Sequence, residues 1–593
     1  MDELEEYVIT CVSMEDLESL YNDLETTGGD DAIPERAVPV YLRRPLSQNT
    51  HYMLTREEAD LVSQDLRVLD IKPVKLIESS RTVNSYTQTG NFSKTPGSAA
   101  MDPSYRNWAL LRCIEGIQRS GWGTSQTWTT QGATASYGAV PYTSENENTT
   151  ITVGPTGKNV DVIVMDGICG VPNHPEFAVN PDGTGGSRYV QYNWFQLNSI
   201  VTSLDDDAAT KLTGAYSYAI EVTTTTYPGL ANSNHGANTT GIVAGNTCGW
   251  ARDANIYQIG TLGQQGIGSL VFWDYVRAFH RNKPINPVTG IKNPTICNCS
   301  YGNSITWPNG NIGTGGITQA ARRGVTVGNY TTGVALTASQ LNSVGIYNVT
   351  YNGVVFATIP IYFDADAADI TQALNDGIII VASAGNESHY IDKSTGPDYN
   401  NQFIATYGGY PYYWPYHRAC AVSGTPGVIC VGATDATATE RKIWFSNTGP
   451  RVDIYAPGTW IVSSAASLNG DWSSKSSPDS RNSSYYIGRQ MGTSQSGPQV
   501  AGVLACLLEI YPTMTPAQAL SYITSMAKTS QLSDTGGTSP TWTSDVYSLQ
   551  GGPNKYLYMP KERPSNGSMY PKQNHMLRPT SGVMYPRRRV RIR

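Results

Sequence analysis

The stretch VDVIVMD, residues 160–166, is a short apolar run that ends in an aspartate. Similar runs recur between turn residues along the chain: ANIYQIG (254–260), TICNCS (295–300), GIIIVASA (377–384) and GVICVGA (427–433). Helical patterns such as SLVFWDYVRAFHRN (269–282) separate them. Short buried strands that alternate with helices are typical of a mostly parallel sheet covered by helices on both faces. The sequence therefore predicts an open α/β fold, whose functional sites gather beyond the carboxyl ends of the strands.

Changes of pattern divide the chain into four predicted regions. Residues 1–80 alternate strand and helix patterns, which predicts a small N-terminal α/β domain. Residues 81–101 are rich in Ser, Thr, Asn and Gly and are interpreted as a linker. The large domain then spans 102–530, and 531–593 form an irregular extension with a basic end, PRRRVRIR. Because such a tail cannot build a core of its own, we expect it to contact other proteins.

Two segments interrupt the alternation of the large domain, near 303–366 and 387–425. The second contains a tyrosine-rich stretch, YGGYPYYWPYH. They are interpreted either as surface insertions that pack on themselves or as surfaces that bind partner proteins.

Composition excludes several classes of protein. The chain has 593 residues, a net charge of -7 and 15% charged residues, which argues against a nucleic-acid-binding or disordered protein. No apolar run is long enough to span a membrane. The acidic start MDELEE does not fit a secretory signal, so a cytoplasmic origin is expected.

The nine cysteines are an odd number scattered along the chain, which argues against a disulfide framework. Cys297 and Cys299 alternate on a predicted strand and share one face, either as a poor metal site or as small buried hydrophobic residues. We predict no cofactor and no metal.

Three polar residues stand at predicted element ends in the order Asp166, His235, Ser494. Ser494 opens an apolar helix pattern, where a serine is ordinarily only an N-cap. A serine becomes a nucleophile when a histidine takes its proton and a buried carboxylate orients that histidine. The three residues together therefore predict a catalytic triad.

Asn386 follows the strand pattern in VASAGNE. Alone it is an ordinary turn residue. Beside a triad, its carboxamide can donate to an oxyanion, with the backbone N–H of Ser494 at a helix start as a second donor.

These stretches resemble the motifs of the subtilisin-like serine proteases, the subtilases. The resemblance covers roughly 102–530 outside the insertions and rests on VIVMDGICG with NHPEF, NSNHGANTTGIVAG, VASAGNE and MGTSQSGPQVAG. It implies the subtilisin-like form of the α/β fold and a ferredoxin-like, prosegment-like domain at 1–80. It also implies that Ser300, Tyr301 and Gly302 line the substrate cleft, and it places Glu176 near a calcium ligand of the family.

The motifs depart from the family pattern at three places. The hydroxyl residue that usually follows the aspartate is replaced by Gly167, with Ile168 next. Asn238 stands where a second histidine is usual, and Gln499 where a histidine follows the proline of the serine motif.

Two hypotheses about function follow. The first is a serine endopeptidase that cleaves protein substrates, as part of a viral particle. The alternative is a catalytically impaired subtilase fold that serves as a structural tail- or capsid-associated protein, similar in layout to the virion-associated subtilases of tailed bacteriophages. The insertions and the basic tail would then contact other virion proteins.

Overall fold

The structure is a computed structural model. It describes residues 4–26, 36–43, 47–73, 84–95, 100–117, 146–167, 171–190, 192, 194–197, 234–260, 272–308, 316–351, 353–407, 410–436, 440–466, 476–534 and 547–559. The chain divides into two compact units, one formed by Met1–Thr82 with Glu562–Arg593 and the other by Val83–Lys561. The basic tail predicted to contact other proteins lies outside the described residues.

The first unit is a four-stranded antiparallel sheet with two helices. Its elements are β1 (Glu5–Cys11), α1 (Met14–Glu25), β2 (Val40–Leu42), β3 (Asn49–Leu54), α2 (Arg56–Val62) and β4 (Val68–Pro73). The strand order β2-β3-β1-β4 is the ferredoxin-like arrangement that the family resemblance implies. Strand β3 was not predicted, although Thr50, Tyr52 and Leu54 alternate inward along it.

The second unit holds the remaining elements. Its helices are α3 (Trp108–Glu115), α4 (Asn234–Ala244), α5 (Phe272–Asn282), α6 (Ala338–Ser343), α7 (Asp364–Asn375), α8 (Ala421–Gly424), α9 (Thr493–Ile510) and α10 (Pro516–Met526), with 3-10 turns at Pro175–Phe177, Trp194–Leu197 and Tyr330–Thr332. Its strands are β5 (Tyr86–Ser93), β6 (Tyr105–Asn107), β7 (Asn146–Val153), β8 (Asp161–Asp166), β9 (Asn255–Gly260), β10 (Thr295–Cys299), β11 (Ser304–Trp307), β12 (Ile317–Arg322), β13 (Val325–Gly328), β14 (Val349–Tyr351), β15 (Val354–Pro360), β16 (Ile379–Ser383), β17 (Gln402–Tyr407), β18 (Tyr410–Pro415), β19 (Ile429–Thr434), β20 (Ile454–Pro457), β21 (Ile461–Ala465), β22 (Ser476–Asp479), β23 (Asn482–Gln490), β24 (Lys528–Thr529) and β25 (Lys555–Tyr556).

An eight-stranded sheet in the order β24-β25-β20-β19-β16-β10-β8-β9 forms the centre of this unit. All neighbours in it are parallel except the edge pair β24 and β25. The chain moves outward from β8 to β9 and then returns to the other side of β8 with β10. The order of the strands thus reverses beside β8, and in open α/β sheets this switch point opens a crevice at the carboxyl ends.

Helices cover both faces of this sheet, which confirms the predicted fold class. Helix α9 packs against β10, β16, β19 and β20. On the other face, α5 and α7 bury their apolar side chains in a core that also contains Cys297 and Cys299. The two thiols share one face as predicted, and both are fully buried among hydrophobic residues.

Two predicted boundaries differ from the structure. Eight residues of the predicted linker 81–101 form β5, which pairs with β6 and β7. Its residues Tyr86 to Thr89 alternate between buried and exposed positions, because threonine and tyrosine suit a half-buried strand. Within the extension 531–593, β25 joins the central sheet beside β20, and Tyr556 is fully buried.

The two predicted insertions pack against each other. Strand β12 of the first pairs with β17 of the second, inside a four-stranded antiparallel sheet ordered β13-β12-β17-β18. A second small sheet, β11-β15-β14, packs on the same core. That core contains Trp307, Ile359 and Phe403, all at most 1% exposed. We call this insertion subdomain residues 304–360 with 402–416; its use as a partner-binding surface stays a prediction.

Among the described residues, no helix combines the length and the apolar character that crossing a bilayer requires.

Candidate active site

The carboxylate of Asp166 and the imidazole of His235 meet at the carboxyl edge of the central sheet. Asp166 is the last residue of β8, and His235 lies in the first turn of α4. Their atoms Oδ1 and Nδ1 are 2.6 Å apart. A carboxylate only accepts, so Nδ1 carries the proton and Nε2 is left as the basic nitrogen. This is the tautomer that a general base requires.

The pKa of His235 is raised above the ordinary histidine value of about 6.5. Burial by itself lowers this pKa, but the negative charge of Asp166 and the hydrogen bond to it favour the imidazolium and outweigh burial. Asp166 is 1% exposed, whereas the His235 side chain is 36% exposed. The ring therefore remains accessible from the cleft while its partner is sealed from water.

Ser494 is the second residue of α9 and is not its N-cap. The cap is Gly492, and no side chain makes a capping bond there. The Ser494 hydroxyl instead donates to the backbone carbonyl of Ser300 at 3.4 Å, in the same cavity as His235. The structure thus removes the capping interpretation of this serine. Transfer of its proton to His235 requires the hydroxyl to rotate from this carbonyl toward the imidazole.

Ser300 holds the backbone of Ser494 in place. Pro498 has no N–H, so the carbonyl of Ser494 lacks the partner that a helix would give it. The hydroxyl of Ser300 donates to this carbonyl at 3.0 Å and itself accepts from Asn298 Nδ2 at 3.0 Å. The family resemblance implies that Ser300 lines the substrate cleft, and the structure gives it this anchoring bond as well.

Asn386 is oriented by Thr493. Its Oδ1 accepts from the Thr493 N–H at 2.9 Å and from the Thr493 hydroxyl at 2.8 Å. Because both bonds use the carbonyl end of the amide, Nδ2 is the end left for a ligand. Asn386 is exposed and lines the cavity that Ser494 also lines. Thr493 was not singled out from the sequence, although it stands inside the quoted serine motif.

All seven residues predicted for the site line one cavity of about 290 Å³. They are Asp166, His235, Ser300, Tyr301, Gly302, Asn386 and Ser494. The cavity has eight further lining residues that the sequence did not predict: Asn303, Pro360, Ser383, Ala384, Gly385, Glu387, Cys420 and Thr493.

Two of the unpredicted lining residues, Pro360 and Cys420, reach the cavity from the two predicted insertions. Pro360 ends a strand of the insertion subdomain, and Cys420 follows that subdomain in the chain, so no pattern connected either to the site. A Cβ at Gly302 would lie 2.7 Å from the sulfur of Cys420, which explains why the cleft segment carries glycine there. Glu387 directly follows Asn386, and burial raises the pKa of its carboxyl despite a hydrogen bond from Asn447.

Two departures from the family motifs are accommodated by polar contacts. Asn238 accepts a hydrogen bond from Gln495 Nε2 at 3.3 Å, although its buried Nδ2 has no hydrogen-bond partner among the described residues. Gln499 accepts from the indole N–H of Trp250 at 2.7 Å and from Asn107 Nδ2 at 3.3 Å. Both side chains are fully buried, so these bonds tie α9 to its surroundings behind the cleft.

Glu176, which the resemblance places near a calcium ligand, is fully buried and paired with Arg481. It also accepts from the backbone N–H groups of Thr247 and Cys248 at 2.9 and 3.1 Å. Burial by itself raises the pKa of Glu176, but the charge of Arg481 and the bonds from Thr247 lower it to about 2. Since a guanidinium already neutralises the carboxylate, these residues do not fit a cation. In the described part of the chain, no group of three or more His, Cys, Asp or Glu is arranged to hold a metal.

Comparisons with known proteins find similarity to serine proteases. The model of the subtilase family matches residues 157–541. The chain is 29% identical over 171 residues to an extracellular serine proteinase of Thermus sp. (strain Rt41A). The aligned residues cover 29% of this chain and 31% of that protein. It is 33% identical over 122 residues to alkaline serine exoprotease A of Vibrio alginolyticus, 20% of each chain. It is 29% identical over 158 residues to subtilisin E of Bacillus subtilis (strain 168), 27% of this chain and 30% of that one.

The chain thus spans about a third or less of the length of these relatives. Among solved structures, it is similar to a cold adapted subtilisin-like serine proteinase, with 18% identity, a TM-score of 0.37, and coverage of 68% of this chain and 89% of that one.

Proposed function

The chain belongs to the subtilase family, whose model matches more than half of it, and from this premise we propose that it is a serine endopeptidase. The observation that carries the proposal is the shared cavity. It brings the Asp166–His235 pair, the hydroxyl of Ser494 and the free amide end of Asn386 together at the crevice beside β8.

Each group has a defined role in the proposed reaction. Ser494 Oγ attacks the scissile carbonyl while Nε2 of His235 takes its proton. His235 then gives that proton to the leaving amine, and Asp166 stabilises the imidazolium between the two steps. Water repeats the sequence on the acyl-enzyme and regenerates Ser494.

The oxyanion formed during the attack needs hydrogen-bond donors. Asn386 Nδ2 is one, because Thr493 holds the other end of that amide. The N–H of Ser494 is the second, because it lies in the first turn of α9 and has no partner within the helix. Such donors act in the transition state, where the negative charge develops.

We infer that the substrate is an extended peptide that lies along Ser300, Tyr301 and Gly302. These residues directly follow β10 and line the cavity. An extended peptide can pair with the backbone of such a segment through main-chain hydrogen bonds. Which peptide bonds in a protein substrate are cleaved depends on the part of the cavity lined by Glu387, Pro360 and Cys420.

The activity is expected to rise with pH through the pKa of His235. Only the neutral imidazole of His235 can accept the proton of Ser494. Because the charge of Asp166 raises the pKa of His235, the imidazole becomes neutral only at a higher pH. The acid limb of kcat/KM, measured with a peptide substrate, should therefore have its midpoint above about 6.5. A midpoint below that value would contradict the assignment of His235 as the base.

The direct test of the proposed function is reaction with a fluorophosphonate probe. The Ser494 oxygen bonds to phosphorus and fluoride leaves, so labelling requires an activated serine but no knowledge of the substrate. We expect a mass shift on the peptide that contains Ser494, and its loss in His235→Ala. No labelling of the full-length chain, or equal labelling of His235→Ala, would reject the proposal.

We further propose that the protein is a component of a viral particle. Supporting it are the insertion subdomain and its exposed Tyr410 and Tyr413, 71% and 59% exposed, which suit contact with another protein. The structural alternative, an impaired subtilase fold in a tail or capsid, rests on the same features. Both proposals predict that mass spectrometry detects this chain in purified viral particles. Fluorophosphonate labelling of Ser494 is then expected for an active protease and not for an impaired subtilase fold.

A further inference from the structure

The carboxylate of Asp166 accepts hydrogen bonds from three donors, of which the imidazole is only one. Its Oδ1 accepts from the N–H of Gly167 at 2.5 Å and from His235 Nδ1 at 2.6 Å. Its Oδ2 accepts from the hydroxyl of Thr239 at 2.7 Å. Asp166 is 1% exposed and Thr239 is fully buried, so bulk water does not reach this bond. The Gly236 carbonyl, the other acceptor near this hydroxyl, lies farther away at 3.3 Å.

One helix supplies the contacts to both carboxylate oxygens. His235 and Thr239 are four residues apart on α4, which places their side chains on the same face of the helix. The imidazole therefore binds one oxygen and the hydroxyl binds the other. This two-point contact fixes the rotation of the carboxylate about its Cβ–Cγ bond.

The close approach of α4 to the end of β8 depends on a glycine. A Cβ at Gly236 would lie 1.6 Å from the carbonyl oxygen of Gly167, so any other residue would push the helix away. Gln258 Nε2 donates to that same carbonyl at 2.6 Å. With the backbones this close, the short side chain of Thr239 reaches Oδ2.

We propose that Thr239 is a positioning residue of the triad, whose hydroxyl holds the Asp166 carboxylate in the orientation that presents Oδ1 to His235. The inference rests on the proposed function, since Thr239 acts only through Asp166 and His235. The residue that follows the aspartate, Gly167, has no hydroxyl and contributes its backbone N–H alone. The hydroxyl thus comes from the histidine helix and not from the aspartate strand.

The test compares Thr239→Val with the wild-type chain. Valine has nearly the same shape but no donor, so Oδ2 is left buried without its partner and the carboxylate turns away from His235. Because Thr239→Val removes a hydrogen bond to a charged group, we expect kcat to fall by about 10- to 100-fold. Thr239 is not among the described residues that line the cavity, so KM should change by less than about twofold.

The chain offers a matched control in the adjacent threonine. Thr240 is equally buried, but its hydroxyl donates to the carbonyl of Gly236 in its own helix at 2.7 Å. Thr240→Val should therefore retain the wild-type kcat. Thr239→Ser keeps the donor and should recover most of the activity that valine loses.

A second readout does not require activity. The proton on Nδ1 of His235, bonded to a carboxylate, should give a separate downfield signal in the proton NMR spectrum. We expect Thr239→Val to shift or abolish this signal and to move the acid limb of kcat/KM toward the ordinary histidine pKa, while Thr240→Val changes neither.

The outcomes separate the two proposals. If Thr239→Val matches Thr240→Val in kcat, in the pH limb and in the Nδ1 signal, Thr239 has no positioning role. If the wild-type chain neither labels nor cleaves, the proposed function fails. The NMR comparison then still decides whether Thr239 orients the Asp166–His235 pair.

Discussion

Ser494→Ala is expected to lower kcat by about 10⁶-fold, because the proposed acyl-enzyme forms on the Ser494 oxygen. The residual rate comes from the oxyanion donors and substrate binding. Ser494 is 8% exposed, and its hydroxyl makes only a long bond of 3.4 Å to Ser300. Alanine should therefore leave the free energy of unfolding nearly unchanged, as measured by denaturant titration beside the peptidase assay.

Ser496→Ala is the matched control on the same helix. Its hydroxyl is fully buried and donates to the carbonyl of Thr493 at 2.9 Å, inside α9. This variant should keep its activity. If Ser494→Ala were as active as Ser496→Ala, Ser494 would not be the nucleophile. If Ser494→Ala destabilised the fold with no activity in the parent chain, the serine would have a structural role.

Asn386→Ala is expected to lower kcat by about 10²- to 10³-fold with little change in KM. The carboxamide meets the substrate oxygen only after negative charge has developed on it, so the loss falls on the transition state. Steady-state kinetics on a peptide substrate separate the two constants. An equal rise in KM would instead indicate that Asn386 binds the ground state.

Asn386→Asp distinguishes donation from anchoring. An aspartate still accepts the two bonds from Thr493, so the start of α9 keeps its contact. It offers no N–H, and its charge repels the oxyanion. The Asp variant should therefore lose at least as much kcat as the Ala variant. Retained activity in Asn386→Asp would mean that the role of Asn386 is to hold Thr493.

Thr239 supplies the hydroxyl that the residue after Asp166 lacks, and this contact could not be predicted from the sequence. The absence of a hydroxyl at Gly167 is visible in the motif. The role of Thr239 is not visible there, because Thr239 and Asp166 are 73 positions apart and meet only when α4 packs against β8. Pro360 and Cys420 were missed for the same reason, since each reaches the cavity from a segment that resembles an insertion.

Local patterns by themselves predicted the buried strands of the parallel sheet, and the chain order Asp166, His235, Asn386 and Ser494 is fixed by the sequence. Apolar runs and turn residues act over a few positions, so they can be read from neighbours alone. Tertiary structure decided the rest: that the two insertions share a core through β12 and β17, that Ser494 is not a cap, and which hydroxyl orients Asp166. These depend on contacts between segments far apart in sequence, whose geometry is set by the packing of the whole sheet and its helices.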